Sequence, residues 1–144
     1  MANSSQRRTV FVTRKESFSA CHRLHSVLLS DDENSDVFGK CNNANGHGHN
    51  YTVEATVRCK IDPVTGMGMN IAHLKKHIQE VIEPLDHKNL DKDIPYFFSV
   101  VSTTENLAIY IWDQLAPKVR TDSSQLFEIL IHETDKNKVT YRGE

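Results

Sequence analysis

Alternation of apolar and polar residues is clearest between positions 51 and 61. Tyr51, Val53, Ala55, Val57, Cys59 and Ile61 take one parity, and Thr52, Glu54, Thr56, Arg58 and Lys60 take the other. Successive side chains on a strand point to opposite faces, so this run predicts a strand with one covered and one polar face. An earlier strand is predicted over "TVFVTRKESFSACH", residues 9–22, where Phe18, Ala20 and His22 share a parity. The alternation falters near Arg14 to Glu16, which predicts a bulge there. Between the two strands, "LLSDDENSDVFGKC" mixes acids, serines and a glycine as a long loop does.

Helical spacing takes over next. Ile71, Leu74, Ile78, Val81 and Ile82 predict a helix with Asn70 as its N-cap, ended by Pro84. A loop, "LDHKNLDKDIPYF", leads to "STTE" at 102–105, whose Ser-x-x-Glu spacing is that of a capping box. The second helix puts Ala108, Ile111, Trp112 and Leu115 on one side, and Pro117 is expected to stop it. A strand pair closes the chain, "FEILIHE" at 127–133 turning through "TDKNK" into "VTY". The order strand, strand, helix, helix, strand, strand predicts an α+β fold: a four-stranded antiparallel sheet with two helices on one face. The 144 residues suit one domain over 1–144, with residues 1–8 expected to be a flexible N-terminus.

Composition narrows the class. A net charge of -2 lacks the basic surplus of a nucleic-acid binder. No run of about 18 apolar residues is present to span a membrane, and the polar start "MANSSQRRT" has no secretory apolar segment. The three cysteines form no C-x-x-C pair and leave one unpaired under any bridging scheme, which points to a reduced, cytoplasmic setting.

One stretch fits none of these elements: "KCNNANGHGHNY", residues 40–51. His47 and His49 have the parity of Tyr51 and Val53, so both imidazoles point to the apolar side, their Cα atoms about 6.5 to 7 Å apart. Two neutral imidazoles side by side leave polar nitrogens unsatisfied unless a partner such as a metal ion fills the gap. In an antiparallel pair the end of the first strand lies near the start of the second, which makes His22 the third candidate ligand and His25 its competitor. Three His ligands leave one tetrahedral position open, as in catalytic zinc sites, although imidazoles also suit copper, iron or nickel. Cys41 has two readings: a fourth ligand closing an inert site, or a thiol of lowered pKa acting as a base beside the cation.

Two further groups stand out. Glu133 shares the parity of Phe127, Ile129 and Ile131. Either its carboxylate enters the apolar face and pairs with a ligand's adjacent N–H donors, or the strand ends at Ile131 and the acid is solvated. Asp86 and His87 follow Pro84, where an Asp–His pair orients an imidazole for proton relay or merely decorates a helix end.

The segments "FSACHRL", "FGKCNNANGHGHNY", "DPVTGM", "PLDHKNLD", "STTEN" and "HETD" resemble the 6-pyruvoyl-tetrahydropterin synthase family over about residues 10 to 144. The resemblance implies the tunnelling fold, in which three subunits join sheets into a barrel and two trimers stack into a homohexamer. It implies Zn2+ on His22, His47 and His49, a catalytic Cys41, and a proton-relay pair in Asp86 and His87. It also implies a pterin anchor in Glu133, with Thr103, Thr104 and Glu105 bordering the pterin pocket from a neighbouring subunit. The implied substrate is a small-molecule pterin triphosphate, 7,8-dihydroneopterin triphosphate, with Mg2+ as a companion of the triphosphate. Arg23 and His25 are candidates for contacting that triphosphate. Where relatives often carry proline in the Asn-Asn-Pro-Asn segment, this chain has Ala44, which removes no reacting group. A sister family of the same fold, the 6-carboxy-tetrahydropterin synthases, typically has a shorter gap than the five residues between Cys41 and His47 here.

Overall fold

The computed structural model describes residues 7–144. Strand β1 (Thr9–His22) pairs antiparallel with β2 (His47–Lys60) without a break, from Thr9 opposite Lys60 to His22 opposite His47. The bulge expected near Arg14 to Glu16 is therefore not in this ladder. Arg14 and Glu16 keep the parity of Phe18 and hold each other in an ion pair of 2.8 Å, so the alternation of chemistry falters while the backbone does not. Of the eight N-terminal residues expected to be flexible, 1–6 lie outside the described residues. Arg8 is tied down, its carbonyl accepting from the Ile61 N–H at 3.0 Å.

The segment between these strands corrects the loop expectation. Helix α1 (Asp31–Phe38) opens on a capping box, in which Ser30 Oγ accepts from Glu33 N and Glu33 Oε1 accepts from Ser30 N, each at 3.1 Å. Asn34 is fully buried, donates to the carbonyls of Ser26, Leu29 and Ser30, and accepts from Ser26 N. Caps and a buried amide hold α1, so no apolar stripe announces it.

Helix α2 (Ile71–Ile82) starts as expected, with the Asn70 side chain accepting from Ala72 N at 2.9 Å, and passes into a 3-10 turn, Glu83–Leu85. The two-residue strand β3 (Lys88–Asn89) then pairs in parallel with β1 at Ala20 and Cys21. A single turn, α3 (Leu90–Asp93), leads on to α4 (Thr104–Val119), β4 (Ser124–His132) and β5 (Lys138–Tyr141). The sheet thus has five strands in the order β3-β1-β2-β4-β5, four antiparallel and one short parallel edge. Two residues are too few for period-2 patterning to register, which is why β3 escapes a sequence reading.

Helix α4 departs from expectation at both ends. Its N-cap is Thr103, whose hydroxyl accepts from Asn106 N at 3.2 Å, and Ser102 sits one position outside. Pro117 lies within the last turn, and the helix runs on to Val119. Val119 is 1% exposed, and its carbonyl accepts from Ser124 Oγ at 2.8 Å, so packing and a hydroxyl hold the turn beyond the proline.

The core lies between one face of the sheet and helices α2 and α4. Val53, Ala55 and Val57 of β2 and Ile129 and Ile131 of β4 meet Leu74 and Ile78 of α2 and Leu107, Ile111 and Leu115 of α4, all at 0% exposure. Burying each large aliphatic side chain stabilises the fold by about 1.5–3 kcal/mol. The register between β2 and β4 shifts between Thr56 and Val57, leaving Phe127 as the extra residue of a bulge. Phe127 consequently leaves the covered face on which its parity had placed it and meets the exposed Phe11 edge-on at 4.8 Å. Apart from these rings and Leu130 the open face is largely polar, with hydroxyl pairs Thr13–Thr56 at 2.7 Å and Ser17–Thr52 at 3.2 Å. No helix among the described residues is long and apolar enough to cross a membrane.

Candidate metal centre

The β1–β2 ladder ends on its histidines. His22 lies directly opposite His47, and His49 lies opposite Ala20, so all three imidazoles leave the sheet on the covered side. Gly48, between the two histidines, points the other way. A Cβ there would come within 3.3 Å of the Ala20 carbonyl, a tight approach that favours glycine. Gly46 turns the chain into β2 with φ +72 and packs against the His22 carbonyl, where an added Cβ would lie at 3.0 Å. The His-Gly-His spelling thus reads as ligand, close backbone contact, ligand.

One ring nitrogen from each of His22, His47 and His49 lies within 4.8 Å of the other two. His22 Nε2 and His47 Nε2 are 3.1 Å apart. Two nitrogens sharing one tetrahedral zinc stand about 3.3 Å apart, so this pair is already spaced for a common ion. His49 Nε2 is buried and has no hydrogen-bond partner among the described residues, a deficit that an ion would fill. The trio therefore fits a metal.

The surroundings set the tautomer. His22 is 1% exposed, and its Nδ1 donates to the Ser102 carbonyl at 2.6 Å, leaving the Nε2 lone pair free to face the other two rings. Burial lowers the His22 pKa, only partly offset by that hydrogen bond. The neighbouring imidazoles lower it further. Burial also lowers the His49 pKa, against the opposing pull of the Glu133 carboxylate. Neutral imidazoles are the metal-binding form.

Sequence reasoning missed the support behind His22. Ser102 Oγ donates to Asp91 Oδ1 at 2.6 Å, and Asp91 Oδ2 accepts from Arg23 N at 2.6 Å. Asp91 thereby ties the strand segment carrying His22 to the segment whose carbonyl orients it. The only sequence signal was an acid in a polar loop, and the Ser102 carbonyl gave none. Asp91→Ala is expected to loosen the ring and lower metal affinity by about 10–100-fold, as loss of an outer partner does, measured by competition with a chelating dye.

Cys41 occupies a 3-10 turn, Gly39–Asn42, is half-buried, and its carbonyl accepts from Leu24 N at 2.8 Å. Its thiol is not among the groups within 4.8 Å of one another that could hold an ion. His25, the competing ligand, is turned to Asn42, whose Nδ2 donates to it at 3.0 Å. Arg23 Nε donates to the Asn42 carbonyl at 2.8 Å, so both triphosphate candidates brace the Cys41 turn.

Glu133 follows β4 directly. Its Oε1 is 3.6 Å from His49 Nε2, and its Oε2 accepts from the hydroxyl of Thr104. Thr104 is 4% exposed within α4, Thr103 caps that helix, and Glu105 is exposed in its first turn. One chain alone therefore brings Thr104 onto Glu133. A cavity of about 560 Å3 opens beside Glu133, His49 and Asn50.

Asp86 Oδ2 and His87 Nδ1 lie 2.9 Å apart, with the His87 side chain 83% exposed. The pair brackets one residue of β1: Asp86 Oδ1 accepts from Ser19 N at 2.9 Å, and His87 N donates to the Ser19 carbonyl at 2.6 Å. His87 has φ +61, a left-handed conformation uncommon outside glycine. The Ser19 N–H, and then His87, hold the Asp86 carboxyl below its ordinary pKa. A second cavity, of about 410 Å3, is lined by His87, His49 and Cys21, so His49 faces both spaces.

Fold and site together define an α+β domain that brings three imidazoles from one antiparallel strand pair close enough to hold a single ion. The family model described as 6-pyruvoyl tetrahydropterin synthase matches residues 11–144. A 6-pyruvoyl tetrahydrobiopterin synthase of Poecilia reticulata is 66% identical over 143 residues, covering 99% of this chain and 96% of that protein. One from Drosophila melanogaster is 60% identical over 140 residues, covering 96% and 83%. The solved 6-pyruvoyl tetrahydropterin synthase of Caenorhabditis elegans superposes with a TM-score of 0.91 at 48% identity, covering 96% of this chain and 98% of that one. The chain belongs to the 6-pyruvoyl tetrahydropterin synthase family, a family of lyases.

Proposed function

We propose that this enzyme converts 7,8-dihydroneopterin triphosphate to 6-pyruvoyl-tetrahydropterin with release of triphosphate, on the way to tetrahydrobiopterin. The observation that carries the reading is the convergence of His22, His47 and His49 beside the Glu133 carboxylate, in a chain of this family. The three imidazoles hold Zn2+, which supplies a Lewis acid for the oxygens of the substrate side chain. Glu133 accepts hydrogen bonds from the exocyclic amine and adjacent ring N–H of the pterin, held in that role by the Thr104 hydroxyl. Cys41 as thiolate moves protons on and off the side-chain carbons, and His87, oriented by Asp86, relays another. The side chain is oxidised as the ring is reduced, so no external redox cofactor is consumed. Mg2+ accompanies the triphosphate.

The same reading takes the protein as a cytoplasmic homohexamer, a dimer of trimers. The polar open face of Thr52, Glu54, Thr56 and Arg58 then lines a barrel interior.

Incubation with 7,8-dihydroneopterin triphosphate and identification of the product tests the reaction. A carboxylated pterin with acetaldehyde would make this chain a 6-carboxy-tetrahydropterin synthase instead. Glu133→Gln is expected to weaken pterin binding about ten- to a hundredfold, the worth of hydrogen bonds to a charged acceptor, with metal content unchanged. Unaltered pterin affinity in that variant places the anchor elsewhere.

A further inference from the structure

We propose that Glu54 and His132, neither of which has a part in the chemistry above, are positioning residues that fix the register of β4 and thereby the place of Glu133. The inference rests on the reading of Glu133 as the pterin anchor. Strand β4 carries a bulge at Phe127, and a bulge bends its strand and re-aims the side chains beyond it. A slip of one residue beyond it would turn Ile129, Ile131 and Glu133 away from the covered face. The β2–β4 ladder ends five residues after the bulge, at Thr52 opposite His132, and Glu133 is the first residue past it. On that final stretch His132 Nε2 lies 2.6 Å from Glu54 Oε2, both side chains partly buried.

The direction of this contact is what matters. Glu54 stands opposite Leu130, so its bond to His132 runs diagonally, two positions along the partner strand. Diagonal neighbours two positions apart lie within reach of long side chains, and this bond ties Glu54 to the last rung of the ladder as well as to its own. It pins the final stretch between the bulge and Glu133. Downstream, the segment is held by Glu133 N donating to the Asn137 carbonyl at 3.0 Å, and Thr104 holds the side chain. His132 also lines the cavity that Glu133 opens into, so an error in its register is felt there at once. Nε2–H donates to Glu54 whether the ring is neutral or protonated, so the pin needs no charge on the imidazole.

The test uses the full-length, metal-loaded protein with His132→Leu, which removes the donor, and His132→Gln, which returns an N–H to the same region. In His132→Leu, amide hydrogen exchange at Glu133 is expected to speed up about fivefold while Val53 and Ala55 are unaffected, and His132→Gln restores most of the protection. KM for 7,8-dihydroneopterin triphosphate rises by a similar factor with kcat and metal content nearly unchanged. In a Glu133→Gln background the His132→Leu change in KM disappears, which a purely structural role would not produce. Unchanged exchange at Glu133, or an equal KM increase in both backgrounds, overturns the inference. Glu54→Leu, which removes the acceptor, should mimic His132→Leu, and it serves if the histidine variant folds poorly. Should the wild type neither bind nor turn over the pterin, the anchor reading fails, and the exchange measurement still decides whether the pin exists.

Discussion

Alanine at position 49 is expected to empty the metal site and stop turnover in the same step. His49 supplies one of three nitrogens that converge within 4.8 Å, and the other two come from the rung where His22 faces His47. With His49 gone, two imidazoles on one side of the ion remain, and the buried space once filled by its ring admits water. Loss of an outer partner already costs about 10–100-fold in metal affinity, so loss of a direct ligand is expected to exceed about a hundredfold. Elemental analysis after dialysis reads this directly. A second reading comes from heat: added Zn2+ raises the melting temperature of the wild type in proportion to ln(1 + [metal]/Kd) and leaves His49→Ala unmoved. A His49→Ala protein that turns over pterin normally without metal would end the assignment of the trio.

The thiol at position 41 should behave in the opposite way. Cys41→Ala is expected to lower turnover by about 10²–10⁴-fold, the range of a lost general acid–base group, while the metal stays bound. The reasons are spatial. Cys41 lies on a 3-10 turn outside the imidazole trio, its backbone braced by Leu24 and its turn by Asn42 and Arg23. Alanine keeps that backbone and removes only the sulfur. If the variant instead loses metal in step with activity, the thiol is a ligand, the site is closed, and the proton-transfer role falls. The pair of variants separates ligand from base: one loses metal and turnover, the other turnover alone.

Much of this site was legible before any fold was known. Period-2 patterning put His47 and His49 on the side of Tyr51 and Val53, and the pairing of β1 with β2 carried His22 to them, as expected of a hairpin. The helices α2 and α4 were legible for the same reason, since their apolar spacing reflects burial against a sheet. The misses share a different cause. Helix α1 is made by a capping box and the hydrogen bonds of Asn34, and β3 by two backbone pairs, neither of which needs an apolar pattern. Support for His22 from Asp91 and Ser102 passes through a backbone carbonyl, which carries no residue identity. The bulge was expected where side-chain chemistry faltered, at Arg14 to Glu16. It fell instead at Phe127, where the ladder with β2 needed an extra residue.

Residue order alone settled the apolar faces of β2, α2 and α4 and which histidines share a face. Those properties follow from residue type and from the 2.0 and 3.6 periodicities of strand and helix. Packing of distant segments set the rest: Ser102 orients His22, Thr104 holds Glu133, and Asp86 and His87 clamp β1 at Ser19. Such contacts join segments far apart along the chain through single hydrogen bonds. Their geometry is set by how the core packs the elements, and no local pattern of residues encodes it.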